Sequence, residues 1–163
     1  MSIRIPLDKI EEGIEHSLNK SSQHLEGAEA CISIGNLDAA VILLEFAIEE
    51  FGRAVVLREN YKARSGEVDS KLERDHNYKY DKAWTVLPPE LKHITHGMFD
   101  PNFFDPRMFD TGRQISHSAR LEAAFVRYDK TFGKWRTAVQ ANERLVRRLI
   151  DGIRQQIKNF QIA

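Results

Sequence analysis

The sequence predicts an all-α protein, a helical bundle of four to five helices with an aromatic-rich loop before the last ones. Three observations carry that prediction. Apolar residues recur at helical spacing over long stretches, above all in DAAVILLEFAIEEFGRAVVLRENY (Asp38 to Tyr61). No segment shows convincing strand alternation. The 163 residues are enough for one domain with a real core, and the chain reads as a single unit, with neither internal repeat nor low-complexity tract. Its parts are a helical hairpin over 1–62, a short helix and aromatic loop over 63–115, and C-terminal helices over 116–160.

The first helix opens at Pro6, with Asp8, Glu11 and Glu12 in its early turns, where the helix dipole favours carboxylates. Its stripe is Ile10, Ile14, Leu18, Leu25, Ala28 and Ile32. The small pair Ser21-Ser22 suits a close helix crossing or a bend. Cys31, the single cysteine, sits on the apolar face as a small core residue, and it rules out an internal disulfide framework. Gly35-Asn36 ends this helix, and Asp38 can cap the next, so the short connection makes an antiparallel hairpin.

The second helix organises the chain. One line runs through Ala40, Leu43, Leu44, Ala47, Phe51, Ala54, Leu57 and Tyr61. Another runs through Val41, Ile42, Phe46, Ile48, Val55 and Val56. A helix apolar on most sides is buried on most sides. Glu50 falls on the first line, three residues after Ala47 and four before Ala54. A carboxylate there requires a charged or hydrogen-bonded partner. Glu49 and Arg53, four apart, suit an ion pair on an exposed face.

Lys62 to Lys71 is polar and reads as a loop. A shorter helix from about Leu72 to Leu87 carries His76 and Lys79 on one face, and if that face meets Glu50 both sides gain a partner. Pro88-Pro89 interrupts it, and Pro89 can begin the turn Glu90 to Ile94. The stretch THGMFDPNFFDPRMFDTGR (95–113) holds two prolines and four phenylalanines, which suits a loop pinned to the protein or to a partner. Helical period returns at Ser116, with Leu121, Ala124, Phe125, Tyr128 and Phe132. It continues past Gly133 through Trp135, Ala138, Val139, Val146, Leu149, Ile150, Ile153, Ile157 and Phe160.

Charge and motifs narrow the chemistry. Net charge is zero, so no global field favours nucleic acid or membrane. Residues 1–62 hold 6 Lys/Arg against 11 Asp/Glu, and residues 127–163 hold 9 against 3. That asymmetry fits complementary helices, or else a basic face for RNA or an acidic partner. No apolar run is long enough for a bilayer, and the N-terminus lacks a signal-peptide core, so the expectation is a cytoplasmic protein without membrane contact. Glu73-x-x-His76 occurs once, where a di-iron bundle needs the pair on two helices. His93 and His96 have zinc-ligand spacing but no Glu base between them. No metal and no cofactor is expected. Nucleophile-elbow and phosphate-loop motifs are absent.

The run Ala28 to Leu57, above all AIEEFGRAVVL (Ala47–Leu57), resembles the helical hairpin of the HEPN superfamily, and more narrowly the AbiV-type abortive infection proteins. Arg53 stands where their A-x-E-E-x-G-K-like core usually has Lys. Asp75-His76 with Lys79 resembles the family's His/Lys cluster. Phe125-Val126-Arg127-Tyr128-Asp129 followed by Trp135 resembles its later aromatic element. The resemblance covers about residues 20–155. It implies a helical bundle, often a homodimer, that shuts down translation when a phage protein triggers it. The charged cluster of Glu49, Glu50, Arg53, His76 and Lys79 on otherwise apolar helices is the candidate binding site, with RNA or a protein as partner. Many HEPN proteins are metal-independent ribonucleases that use Arg, four to six residues of spacer, then His. Here Arg113 and His117 are separated by only three. They remain the catalytic candidates, and whether the chain is an enzyme stays open beside a non-enzymatic interaction role.

Overall fold

The computed structural model describes residues 1–96, 98, 127–130, 133–136 and 141–162. The long elements are helical: α1 (Leu7–Ser33), α2 (Leu37–Lys62), α4 (His76–Trp84), α5 (Pro89–His96) and α6 (Glu143–Lys158). A single turn, α3 (Lys71–Arg74), precedes α4. Four short strands accompany them among the described residues: β1 (Ser2–Arg4), β2 (Glu67–Asp69), β3 (Arg127–Asp129) and β4 (Lys134–Arg136). The fold is therefore all-α in its mass, with two small antiparallel pairs added.

The α1–α2 hairpin follows from its connection. Gly35 adopts φ 77, a conformation that glycine reaches without strain. Its N–H donates to Ile32 O, and that of Asn36 donates to Cys31 O, so the turn closes the carbonyl end of α1 as a Schellman motif. Asn36, not Asp38, caps α2: its side-chain oxygen accepts from the Ala39 N–H at 3.1 Å. The two helices then lie close along their length. Ser21 donates to the Ala47 carbonyl at 2.7 Å across the buried crossing, as the small Ser21-Ser22 pair predicts.

Helix α2 is central. Its residues Leu44, Ala47, Ile48, Phe51 and Val55 are fully or almost fully buried, against Leu25, Ala28 and Ile32 of α1, Tyr80 and Ala83 of α4, and Val146, Leu149, Ile150 and Ile153 of α6. Cys31 is only half-buried, packed against this core from outside. A second cluster joins Ile10 and Ile14 to Ala54, Val56, Leu57, Val68 and Leu72. Burying so many branched side chains, at about 1.5–3 kcal/mol each, is what holds the bundle against chain entropy.

Three expectations need correction. The polar loop after Tyr61 contains β2, which pairs with the N-terminus in the register Ser2↔Asp69, Ile3↔Val68, Arg4↔Glu67. The helix expected from Leu72 to Leu87 is two helices, because Asp75 leaves the helical region (φ −107, ψ 102) and caps α4 by accepting from the Tyr78 N–H at 3.0 Å. Residues 127–129 and 134–136 are strands and not helix: β3 and β4 pair antiparallel, with Tyr128 opposite Trp135 and Gly133, at φ 63, just before β4. The last helix begins only at Glu143, capped by Asn142. Pro89 does open α5, and Leu91 and Ile94 bury its inner face. The aromatic stretch from Phe99 to Phe109, like Leu121, Ala124 and Phe125, lies outside the described residues.

The charge asymmetry resolves partly into packing. Arg154 of α6 forms a two-pronged ion pair with Glu29 of α1, at 2.7 and 3.2 Å, which holds the guanidinium pKa above its ordinary value. Arg144, Arg147, Arg148 and Lys158 remain on the exposed side of α6.

Candidate functional site

Gly52 places the site. A Cβ built on it would stand 1.8 Å from the Lys79 carbonyl oxygen, so only glycine lets α4 lie directly on α2. That close crossing brings the first turn of α4 over Glu49. Glu49 is 3% exposed, with Oε2 at 2.8 Å from His76 Nδ1 and 3.9 Å from Lys79 Nζ. An ionised carboxylate can only accept, so Nδ1 carries the proton and donates. Lys79 is itself buried at 3%. His76 spans inside and outside: its side chain is 47% exposed. A buried carboxylate, a buried ammonium and a half-exposed imidazole thus form one network.

On its outer side His76 lines a cavity of about 460 Å³ with Ser70, Lys71, Arg74, Asp75 and Asn77. Lys71 and Arg74 of α3 make this rim basic. The restart of the chain at Asp75 sets it, because a continuous helix would turn these cations by about 100° per residue relative to His76.

Arg53 stands apart from this network. Its Nε meets Glu50 at 3.2 Å and its Nη1 donates to Glu73 at 2.7 Å, so it ties α2 to α3. The two glutamates exchange the places that helical phase predicts. Glu49 is the buried one and faces His76 and Lys79, whereas Glu50 is partly exposed and pairs with Arg53. The cause is that α2 is apolar nearly all round, so its true inward direction is set by α4 and not by the sequence stripe. Of the five expected binding residues, Glu49, His76 and Lys79 come together, and Glu50 with Arg53 forms a neighbouring pair.

Nearby groups steady this arrangement. Lys82 of α4 donates to Glu59 of α2 at 2.6 Å, and that hydrogen bond raises the ammonium pKa. Burial pushes the Tyr78 phenol up. Glu45, one turn before Glu49, is 1% exposed. Lys71, Glu73 and Arg74 join the site beyond the sequence candidates; the Glu73-x-x-His76 spacing and the two cations just before Asp75 are their signals in the sequence. Arg113 and His117 lie outside the described residues. Among the described residues, no cluster of three His, Cys, Asp or Glu side chains could hold a metal ion, and no helix is long and apolar enough to cross a membrane.

A protein-family model described as AbiV, of the HEPN type, matches residues 9–150, which include all but the first two residues of α1, α2 to α5 and the first half of α6. No curated protein and no solved structure matches the chain. The matched span contains the glycine crossing, the Glu49–His76–Lys79 network and the Arg53 pair together, and the chain belongs to the AbiV family of HEPN proteins.

Proposed function

We propose that this protein is an abortive-infection factor that arrests translation in phage-infected cells, in the cytoplasm, as a homodimer switched on by a phage protein. It acts by binding RNA at the basic rim around His76. Family membership supports the general role. The single observation that carries the site is the pairing of a buried Glu49 with a half-exposed His76 that opens on Lys71 and Arg74. Lys71 and Arg74 supply phosphate contacts, His76 a hydrogen-bonding edge, and Glu49 fixes the imidazole in one tautomer. Glu50 and Arg53 hold α3 in place through Glu73.

Electrostatic capture of RNA releases counterions, so affinity falls steeply with salt. Filter binding of the purified protein to ribosomal RNA, at two salt concentrations, tests this. Arg74→Ala weakens binding and flattens the salt slope. Equal affinity for Arg74→Ala, Lys71→Ala and the unaltered protein contradicts the reading, and a protein partner then becomes the better occupant.

The Glu49–His76 pair also favours a second reading, a metal-independent ribonuclease with His76 as acid–base group. RNA cleavage in EDTA that is lost in His76→Ala supports it. Cleavage lost instead in Arg113→Ala and His117→Ala assigns it to those two residues, and no cleavage leaves the binding role.

A further inference from the structure

A second groove, of about 450 Å³, lies between α1, α2 and α3. It shares no lining residue with the His76 cavity: α3 gives Lys71 and Arg74 to one and Leu72 and Glu73 to the other. Lys9, Gly13, Ser17 and Lys20 line it from one face of α1.

Ser17 is the unexplained residue. It is 4% exposed, lines the groove, and its hydroxyl has no hydrogen-bond partner among the described residues. Ser21, one turn later, is equally buried but donates to the Ala47 carbonyl. The Ser17 oxygen, unlike the residue as a whole, keeps access to solvent through the groove, where a ligand can reach it.

The register of the hairpin says what surrounds Ser17. Gly13 faces Leu57, Ser21 meets Ala47, and Gly27 faces Leu43, so Ser17 stands level with Arg53. Arg53 directs Nε to Glu50 and Nη1 to Glu73 and keeps Nη2 unused among the described residues. Lys20 lies one turn after Ser17 and lines the same groove, and helical side chains lean toward the N-terminus, so its ammonium can reach back toward the hydroxyl. Lys20 forms no ion pair among the described residues and is exposed. Beyond Gly13, Leu57 and Leu72 make an apolar wall. The carboxylates present, Glu50 and Glu73, are both engaged by Arg53.

We propose that this groove binds a phosphomonoester on an apolar body. The three phosphate oxygens take the Ser17 hydroxyl, the Lys20 ammonium and Arg53 Nη2, and the body lies on Leu57 and Leu72. Three converging donors suit a phosphate better than a two-oxygen carboxylate. The groove is within the size range of small-molecule sites.

Isothermal titration calorimetry with phenyl phosphate tests the assignment, with inorganic phosphate and benzoate as the other arms. The expected result is one saturable site for phenyl phosphate, with weaker binding of inorganic phosphate, which lacks the body, and of benzoate, which lacks the third oxygen. Ser17→Ala and Lys20→Ala each weaken phenyl phosphate by about tenfold, and the exposed Lys62→Ala leaves it unchanged. Lys20 is on the surface, so its variant keeps the test sound even if Ser17→Ala disturbs the helix crossing. No saturable binding of phenyl phosphate, or wild-type affinity in Lys20→Ala, overturns the proposal.

Discussion

At the scale of single residues, the protein turns on where one carboxylate points. Glu49 is buried between His76 and Lys79, and Lys79 is as buried as its partner. Removing one member of such a set leaves a charge without compensation inside the protein. Glu49→Ala should therefore cost about 3–5 kcal/mol, read as a lower urea midpoint with an unchanged slope. His76→Ala, truncating a half-exposed ring, should cost far less, because Lys79 still faces Glu49. A second residue gives the protein a pH dependence. His24 lies against Phe46, with ring centroids 5.5 Å apart. Burial first, then the nearby Lys20 charge, lowers its pKa below the ordinary 6.5, and Glu50 opposes this. The unfolded chain then binds a proton that the folded one resists, so this contribution to stability is complete above pH 6.5 and shrinks as pH falls through the lowered value. Thermal melts between pH 7 and 5 should show a decline that His24→Gln reduces. The Glu49/Glu50 phase was the part of the site that sequence could not give. The two residues are adjacent on a helix buried nearly all round, and 100° of rotation separates an answer from its opposite.

At the scale of elements, the close approach of α2 and α4 assembles the network. Gly52 permits it, and a methyl group there would meet the Lys79 backbone rather than a side chain that could move aside. Gly52→Ala should destabilise the fold by about 1–3 kcal/mol and also separate His76 from Glu49. Loss of the Glu49–His76 contact is readable in the imidazole NMR signals. The hairpin was legible because its signals are local: Gly35 and Asn36 form a turn that needs nothing from the rest of the chain. The break at Asp75 was less so, since His76 and Lys79 share a face whether or not the helix restarts before them. The β3–β4 segment reads as helix in the sequence because Tyr128, Phe132 and Trp135 fall at helical intervals. The contrary sign is Gly133, which stands at positive φ immediately before β4. With strands of only three residues each, alternation has no room to declare itself.

At the scale of the whole molecule, the acidic hairpin and the basic last helix are partly complementary packing, as Glu29 and Arg154 show. The rest of the basic charge stays outward on α6. The all-α class and the AbiV family could both be read from the chain, because they rest on long helices and on the Ala47–Leu57 motif. The basic rim of Lys71 and Arg74 could not, since it depends on α3 being separated from α4. The central claim is that the Glu49–His76–Lys79 network serves the surface it opens on and not only the core. Phage plating on cells producing the unaltered protein or His76→Ala tests it most directly, with the melting temperature of each purified protein measured alongside. Protection lost in His76→Ala while its melting temperature stays within a few degrees is the predicted result. Full protection from a folded His76→Ala protein would contradict it.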